Sequence, residues 1–403
     1  MKKTLRRFMS VLLTALLVCA CLAPCASAAD LAGTTPLQFN ADGKFKICMF
    51  NDLQDKANPD KRTLELVGAV LDQEQPDLVV IAGDTINDAY AGATAEDIAN
   101  TYKNLFAPIV ERDIPFLMTF GNHDHDKIGT LSLEGQMDVC KSMSSCIVPD
   151  DGCDPGTYNV PVLNSAGTAY ALNVYMMDTG NKNEEVGGYR GVLPEQVEWY
   201  KAKSDELKAI NGGEVVPSFV FQHIPVKEIY QFLERTEDYD NAFINLDEFR
   251  WYKFKEDMTL LPGDNFCLEA PCSEKQTVTT GQYEAWLEKG DIIGAYFGHD
   301  HINNFVGITN EGIQMGYNAG GGFATYGNGG KRSARIFVID ENAPADYETY
   351  NVTYDEVTGK ETAFVFMDLI SLNTVNVVLR MIYKVFGPLL EVLMDAVETI
   401  EAA

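Results

Sequence analysis

Basic residues and histidines are scarce in this 403-residue chain. Lys and Arg total 31 against 59 Asp and Glu, which gives a formal net charge of −28 at pH 7. Such a chain is not expected to bind a nucleic-acid backbone through a broad basic face. The apolar fraction of 46% and the charged fraction of 22% are near globular averages, which excludes a disordered or fibrous protein. The positions of the five histidines therefore carry much of the functional information.

One long apolar run stands out, at residues 8–23. It follows four basic residues within the first seven positions and precedes Ala26-Ser27-Ala28, a small-residue cleavage site. This pattern predicts a secretory signal peptide over residues 1–28, with cleavage near Ala28 and a secreted or cell-envelope protein. Two alternatives stay open. The shortness of the run disfavours an uncleaved membrane anchor, and the nearby Cys19 disfavours a lipid anchor at Cys21.

Cysteine is sparse beyond this leader. The cysteines that follow residue 28 are Cys48, Cys140, Cys146, Cys153, Cys267 and Cys272. An even number in an exported chain permits disulfides, but six cysteines allow 15 pairings and the sequence does not choose among them.

Short apolar runs alternate with helical patterns in the first half of the chain. Strands are predicted near 44–51, 77–83 and 115–121, with helices near 60–74 and 95–106 between them. This β-α-β-α-β order predicts parallel strands in a covered sheet. Later elements are a helix at 194–210 and strands near 170–178, 217–222, 292–298, 303–308, 313–317, 334–340 and 347–353. The pattern predicts an α/β fold with a two-sheet sandwich flanked by helices.

Two segments fall outside this pattern. Residues 224–280 carry few signals and are interpreted as an insertion over the site, within a catalytic domain of residues 29–370. Residues 371–403 form an amphipathic helical tail, which Gly387-Pro388 should kink. This tail has two interpretations, a helix at a membrane surface and a helix docked on the protein or on a partner. Its acidic end is a poor match for anionic lipid, which favours docking.

Each of the first three predicted strands ends in residue types that bind metals. Asp52-Leu53-Gln54 follows the first strand, Gly83-Asp84 the second, and Gly121-Asn122-His123-Asp124-His125 the third. Two later strands lead to His223 and to Gly298-His299-Asp300-His301, so all five histidines follow strand-like runs. Residues beyond the carboxyl ends of neighbouring parallel strands converge on one crevice. Because carboxylate, amide oxygen and imidazole together suit divalent cations, the sequence predicts a metal centre there.

In this order and spacing, the motifs resemble those of the calcineurin-like metallophosphoesterases, most closely the non-purple relatives of purple acid phosphatases. The resemblance covers residues 44–340 and includes Asp178-Thr179-Gly180, Trp199, Gly320-Gly321-Gly322 and Arg332. It implies a four-layer α/β/β/α sandwich of two mixed sheets, with a binuclear metal site at the strand carboxyl ends. It also implies a metal-dependent phosphoric ester hydrolase.

The resemblance implies a role for each motif residue. By family position, Asp52 and His301 bind one divalent ion, Asp84 bridges two ions, and Asn122, His223 and His299 bind the second. His123 lies beside the ions, contacts the phosphate and protonates the leaving group, and Asp124 is the other predicted catalytic residue. Three residues are candidates for orienting the imidazole of His123: Asn87, Asp88 and Asp124.

Two positions depart from the family pattern. Many members have a histidine where this chain has Gln54, a neutral and weaker ligand. An oxygen-rich first site is therefore expected, which favours Mn²⁺ or Mg²⁺ over tightly held iron, unless water takes the place of the Gln54 side chain. Mn²⁺ is the leading candidate, with Mg²⁺, Fe or Zn²⁺ as alternatives. Purple members have a tyrosine where this chain has Asn87, so no purple charge-transfer band is expected.

Residues on the substrate side are harder to identify. Asn87, His125 and Arg332 are the main candidates, and Arg332 stands out because a guanidinium pairs well with phosphate. Further candidates, for which a structural role is favoured, are Tyr189, Arg190 and Tyr326. Asp55 and Asp300 are expected to shape loops.

Three functions compete. The leading hypothesis is an exported phosphatase that hydrolyses small phosphomonoesters by attack of a metal-bound hydroxide, with His123 assisting the leaving group. The alternative, which Gln54 supports, is a phosphodiesterase or nucleotide diphosphatase with the same site. A non-catalytic surface binding protein is less favoured, because every other ligand is present.

Overall fold

The computed structural model describes residues 31, 35, 37–87, 89–183, 188–239, 242–245, 250–263, 265–271, 280–360, 378–387 and 390. Helices α1 to α7 span Lys61–Glu74, Ala95–Val110, Asn122–His125, Leu133–Lys141, Pro194–Ile210, Gln282–Lys289 and Tyr354–Thr358. Strands β1 to β9 span Lys44–Phe50, Leu78–Ala82, Phe116–Thr119, Tyr158–Leu163, Tyr170–Met177, Lys182–Asn183, Gly188–Tyr189, Ser218–Gln222 and Leu233–Arg235. Strands β10 to β18 span Phe243–Asn245, Arg250–Phe254, Thr259–Leu260, Phe266–Cys267, Ile292–Phe297, Asn303–Ile308, Gln314–Tyr317, Ser333–Asp340 and Glu348–Thr353.

The first large sheet has the order β18-β17-β1-β2-β3. Its β1, β2 and β3 strands are parallel, as the β-α-β-α-β pattern predicted, while β17 and β18 run antiparallel to their neighbours. Phe50 at the end of β1 lies opposite Ile81, and Ala82 at the end of β2 lies opposite Thr119. The three strands therefore end at one edge, and the loops that follow them meet there.

The second large sheet has the order β12-β15-β16-β14-β8-β5-β4, and β13 also pairs with β15. Its strands β5, β8, β14 and β16 are parallel, while β4 and β15 run antiparallel to their neighbours. The two large sheets pack face to face, and aromatic rings from both sheets are in contact between them. The ring centroid of Phe337 on β17 lies 5.5 Å from that of Phe219 and 4.5 Å from that of Tyr296 on the second sheet.

Helices cover the outer face of each sheet. Leu66 of α1 and Ile98 of α2 belong to the core of the first sheet, whereas Tyr200 of α5 and Trp286 of α6 belong to that of the second. This arrangement confirms the predicted four-layer α/β/β/α sandwich of two mixed sheets. Helix α2 continues to Val110, beyond the predicted end at residue 106.

The segment 224–280 contains its own three-stranded sheet, in the order β10-β11-β9. Its strands β12 and β13 pair with β15 and extend the second large sheet. Residues 378–387 are helical, and the Tyr383 ring packs 5.5 Å from the rings of Trp251 and Tyr239, measured between centroids. In the portion that the structure describes, no helix combines the length and apolarity needed to cross a bilayer. The predicted signal peptide and most of the predicted tail lie outside the described residues.

The cysteines that the structure describes are thiols. They are Cys48, Cys140, Cys146, Cys153 and Cys267, while Cys272 lies outside the described residues. Burial raises the pKa of the Cys48 and Cys140 thiols well above the ordinary value, so these two are inert core side chains at neutral pH.

Candidate metal centre

Four of the predicted metal ligands have a backbone conformation that is rare outside glycine. The φ angle is 51° at Asp52, 30° at Gln54, 51° at Asp84 and 73° at His299. Such conformations cost about 1–3 kcal/mol each, so they persist only where the surrounding structure imposes them. Here the loops after β1 and β2 are tied together, because the Gln54 N–H donates to the Asp84 carbonyl at 3.0 Å. Backbone strain is thus concentrated at the predicted site.

Close approach of the third loop depends on Gly121. A Cβ atom at this position would lie 2.1 Å from Asp84 Oδ1, which no side chain tolerates. Glycine therefore lets the backbone after β3 pass directly beside the Asp84 carboxylate. This contact brings Asn122 and His123 to the same edge as Asp84.

Three predicted ligands form a compact buried cluster. Single ligand atoms of Asp52, Asp84 and His301 all lie within 4.8 Å of one another. His301 Nε2 is 3.0 Å from Asp52 Oδ1, and His223 Nε2 is 3.1 Å from Asp84 Oδ2. All four side chains are buried. The structure thus gathers residues from four separate loops, between 32 and 249 positions apart, around one point.

The outer nitrogens of two imidazoles are bound to backbone carbonyls. His223 Nδ1 lies 3.0 Å from the Ala82 carbonyl oxygen, and His301 Nδ1 lies 2.9 Å from that of Tyr326. The Tyr326 ring also stacks on the His301 ring, with 4.0 Å between centroids. This arrangement directs both Nε2 atoms toward the cluster. A hydrogen bond on the far nitrogen is the usual support of a metal-binding histidine.

The remaining predicted ligands border the cluster. His299 Nδ1 lies 3.0 Å from Asn122 Oδ1, so the predicted ligand atoms of these two residues face each other. The Gln54 amide nitrogen donates to Asp84 Oδ2 at 2.9 Å. The Gln54 carbonyl oxygen could bind a metal beside Asp84 only if the side-chain amide rotated so that its oxygen and nitrogen exchanged places.

Burial and the neighbouring charges together set the pKa values of the histidines in this cluster. Burial lowers the pKa of His223, but the carboxylates of Asp84 and Asp52 outweigh it and raise that pKa to about 10. His299 shows the reverse, because burial and the charge of His223 lower its pKa to about 3. Two buried carboxylates this close together require positive charge between them.

The donor set fits a divalent cation. Asp52 Oδ1 and His223 Nε2 are fully buried, and neither makes a well-aligned hydrogen bond to any residue that the structure describes. Buried polar atoms are nearly always satisfied, so such atoms in one cluster point to a missing partner. Carboxylate oxygens and imidazole nitrogens are ligands for divalent ions of the Mn²⁺ and Zn²⁺ type.

Metal binding should therefore be visible as a gain in stability. Protein treated with chelator and then supplied with Mn²⁺ at 100 times its dissociation constant is expected to gain about 2.7 kcal/mol in free energy of unfolding. The measurement is the denaturant midpoint with and without the ion. An Asp84→Asn variant, which lacks the central charge, should gain much less. An equal gain in both proteins would place the ion elsewhere.

His123 lies at the open side of the cluster. Its side chain is 27% exposed, whereas those of His223 and His301 are 0% and 3% exposed. Its Nε2 is 4.0 Å from Asp84 Oδ2, and its backbone N–H donates to Asp84 Oδ1 at 2.8 Å. The imidazole is thus fixed beside the cluster while one edge remains accessible.

The residue that orients His123 is one that the sequence analysis missed. His123 Nδ1 lies 2.8 Å from Asp126 Oδ2, and Asn181 Nδ2 donates to Asp126 Oδ1 at 2.7 Å. The available signal was the spacing, because residues i and i+3 lie on the same face of a helical turn. Asn181 carried no such signal, since it comes from a distant loop.

Asp124, one of the three candidates for orienting His123, binds other groups. Its Oδ1 accepts the backbone N–H groups of Thr85 and Ile86, and its Oδ2 accepts that of Gly121. Burial and the charge of Asp84 raise the pKa of the Asp124 carboxyl to about 6. Asp124 therefore joins the loops after β2 and β3 and supports the site from behind.

Asn87 does not orient His123 either. Its amide nitrogen donates to the carbonyl oxygens of Gln54 and Ala324, both at 3.1 Å, and the side chain is buried. It has a structural role in place of the predicted substrate contact. The third candidate, Asp88, lies outside the described residues.

Arg332 is also not a substrate residue. It is 0% exposed and donates to the carbonyl oxygens of Gly322, Gly329 and Thr325. Its guanidinium lies 4.6 Å from the centroid of the Phe323 ring. The phosphate-pairing hypothesis fails because all of these interactions bury the guanidinium inside the loop that follows the glycine run.

An Arg332→Met variant tests this correction. Three carbonyl oxygens lose their donors, so a loss of about 3 kcal/mol in the free energy of unfolding is expected. Chemical denaturation measures this loss, and the Michaelis constant of the folded fraction should stay unchanged. A raised Michaelis constant without loss of stability would restore the substrate role.

The other substrate-side candidates divide into two groups. His125 Nε2 lies 2.9 Å from Asp178 Oδ1, which makes its role structural. Arg190 Nη2 also lies 3.7 Å from Asp178. Tyr189 does border the cluster, since its ring centroid is 4.4 Å from that of His299.

Asp55 holds the loop that follows β1, as expected. The Asp55 carboxylate accepts the backbone N–H groups of Lys56 and Asp60, both at 2.9 Å. In the glycine run, Gly321 and Gly322 donate to the carbonyl oxygens of Asn51 and Asp52. The run therefore packs against the first ligand loop.

The sandwich and the buried donor cluster at its strand ends define a metal-dependent phosphoesterase. The family model described as calcineurin-like phosphoesterase matches residues 45–303, more than half of the chain. The chain belongs to this family, and the resemblance predicted from the motifs is confirmed.

Relatives within the family cover most of the chain. It is 28% identical over 375 residues to a protein of Arabidopsis thaliana named probable inactive purple acid phosphatase 14, covering 83% of this chain and 85% of that one. It is 25% identical over 362 residues to probable inactive purple acid phosphatase 29 of the same plant, covering 81% and 84%. It is 27% identical over 344 residues to phosphatase DCR2 of Saccharomyces cerevisiae, covering 77% and 54%.

Proposed function

We propose that this protein is an exported phosphatase that hydrolyses phosphomonoesters of small molecules with the help of two divalent metal ions. The observation that carries the proposal is the buried cluster of Asp52, Asp84 and His301, completed by His223. Membership of the family supports ester hydrolysis. The N-terminal pattern over residues 1–28 supports export.

The predicted ligands divide between two ions. Asp52, His301 and the carbonyl oxygen of Gln54 would hold the first, Asn122, His223 and His299 the second, and Asp84 would contact both. When bound, such ions neutralise the charge of a phosphate ester and lower the pKa of a water molecule. The oxygen-rich first set favours Mn²⁺, with Mg²⁺, Fe or Zn²⁺ as alternatives.

His123 is assigned the proton transfer. In the doubly protonated ring, Nδ1–H donates to Asp126 and the proton available for transfer sits on Nε2, at the exposed edge of the ring. A phosphomonoester whose leaving oxygen reaches this edge receives the proton as the ester bond breaks. General acid catalysis of this kind contributes about 10²–10⁴-fold.

Two other functions have specific support. Gln54, a neutral residue where a histidine is common, favours a phosphodiesterase or a nucleotide diphosphatase with the same ligands. The word "inactive" in the names of several relatives favours a non-catalytic binding protein. The buried cluster argues for catalysis over binding, because strained backbone and unsatisfied buried ligand atoms are costly to retain without use.

One assay separates the three functions. The mature chain is stripped of metal and tested on p-nitrophenyl phosphate and bis(p-nitrophenyl) phosphate, with Mn²⁺, Mg²⁺, Zn²⁺ or Fe²⁺ restored. Metal-dependent hydrolysis that prefers the monoester is expected. Preference for the diester would favour the phosphodiesterase, and absence of turnover despite bound metal would favour the binding protein.

Determination of the N-terminal residue of the exported protein checks cleavage near Ala28.

A further inference from the structure

A second polar cavity lies away from the metal centre. It has a volume of about 180 Å³ and is lined by residues from β15 of the second sheet, from β17 and β18 of the first, and from the loop around Asn265. None of its described lining residues is a predicted metal ligand. The cavity therefore opens at the seam where the edges of the two large sheets meet.

A buried arginine without an acidic partner lines this cavity. Arg335 is 4% exposed, and its three hydrogen-bond acceptors are the Tyr317 carbonyl oxygen at 3.3 Å, Thr349 Oγ1 at 3.4 Å and Asn304 Oδ1. All three acceptors are neutral. In the described part of the chain, no carboxylate oxygen lies within 4.0 Å of its guanidinium. Because a guanidinium carries five N–H donors, two of them have no acceptor among the residues that the structure describes.

A second unused donor sits beside this arginine. Asn351 on β18 lies opposite Arg335 on β17 in the antiparallel register, so the two side chains share one face of the sheet. The Asn351 amide nitrogen is buried and has no hydrogen-bond partner among the described residues. Buried donors of this kind are seldom left unpaired. Two neighbouring residues thus offer four N–H donors and one positive charge to the cavity.

Two other polar side chains that line the cavity have partners of their own. Glu356 also lines the cavity, but its Oε2 accepts the backbone N–H of Thr353 at 3.1 Å. The Tyr350 hydroxyl donates to Glu74 at 2.7 Å. Burial lowers the pKa of Arg335 to about 10, so the guanidinium still carries its charge at neutral pH.

We propose that this cavity is a binding site for a small oxyanion, a phosphate or a carboxylate, held by Arg335 and Asn351. A guanidinium and an amide that both present N–H groups are suited to the paired oxygens of such an ion. The positive charge of Arg335 excludes a cation. An uncharged ligand would leave that charge buried without a counter-ion, which is costly.

Binding of two probe ions tests the proposal. Inorganic phosphate and acetate are titrated by calorimetry into the full mature chain, first with its metals and then after treatment with chelator. Because the metal centre also attracts phosphate, the cavity is identified as the binding that survives chelation. Saturable binding of at least one ion to the chelated protein is expected. The probe that binds more tightly distinguishes a phosphate site from a carboxylate site.

Substitutions locate the binding. Asn351→Leu removes the unused amide and should weaken binding to the chelated protein at least tenfold, with metal-dependent turnover unchanged. Arg335→Lys keeps the charge but loses the fork of donors, and should weaken binding as well. Asn310→Leu on an exposed turn is the matched control and should bind as the native protein does. Absence of binding after chelation, or equal binding by Asn351→Leu, would overturn the proposal.

Discussion

Replacement of His223 by alanine is expected to reduce turnover by about 10²–10³-fold or more, which is the cost of removing one electrostatic contributor to a transition state. His223 is 0% exposed, its Nε2 lies 3.1 Å from Asp84 Oδ2, and its Nδ1 is bound to the Ala82 carbonyl. Alanine removes a nitrogen donor from the cluster and leaves the Asp84 charge without its partner. The chain should then retain fewer metal ions. Steady-state turnover and elemental analysis of the purified variant measure both effects.

The control for this variant is His125→Ala. His125 is bound to Asp178 and not to the cluster, so its loss should leave the metal content unchanged. Circular dichroism establishes that both variants are folded. Full activity and full metal content in His223→Ala would contradict the assignment of this residue as a ligand.

The second large effect is expected at Asp126. In an Asp126→Asn variant, kcat/KM for alkyl phosphates should fall by about 10²-fold. The neutral amide still holds the His123 imidazole in place, but it lacks the negative charge that favours a proton on Nε2. On p-nitrophenyl phosphate the loss should be much smaller, since p-nitrophenolate leaves without needing a proton. The measurement is kcat/KM for a series of substrates ordered by the pKa of the leaving alcohol.

This dependence on the leaving group separates positioning from a structural role. A variant that merely unfolds or misshapes the site should lose activity equally on all substrates. Asp138→Asn, on an exposed face of α4, is the matched control and should behave as the native chain. Equal losses across the whole series in Asp126→Asn would contradict the proton transfer assigned to His123.

Local sequence patterns predicted the structure correctly where the residues of a single strand or helix determine it. The alternation of apolar runs with helical spacing predicted the parallel β1, β2 and β3, because each contains a continuous apolar run that is buried on both faces, in β1 from Ile47 to Phe50. Strand β4 was missed because its run contains Pro161, a residue that argues against a strand.

The roles predicted for side chains were wrong where their hydrogen-bond partners come from distant parts of the chain. Arg332 and Asp124 have the residue types of a phosphate contact and a catalytic acid, yet in the fold both bind backbone groups of neighbouring loops. Residue type records what a group can bind, whereas only the folded backbone decides which acceptor or donor reaches it first.

The sequence by itself determined the layered α/β architecture, the family, and the edge of the sheet at which the metal-binding residue types meet. These follow from periodicity and from motifs that sit at strand ends, both of which are local properties. The tertiary structure alone decided that Asn181 supports Asp126, and that Arg335 and Asn351 share a cavity. Those contacts depend on how distant loops and the edges of two sheets meet, which no spacing along the chain encodes.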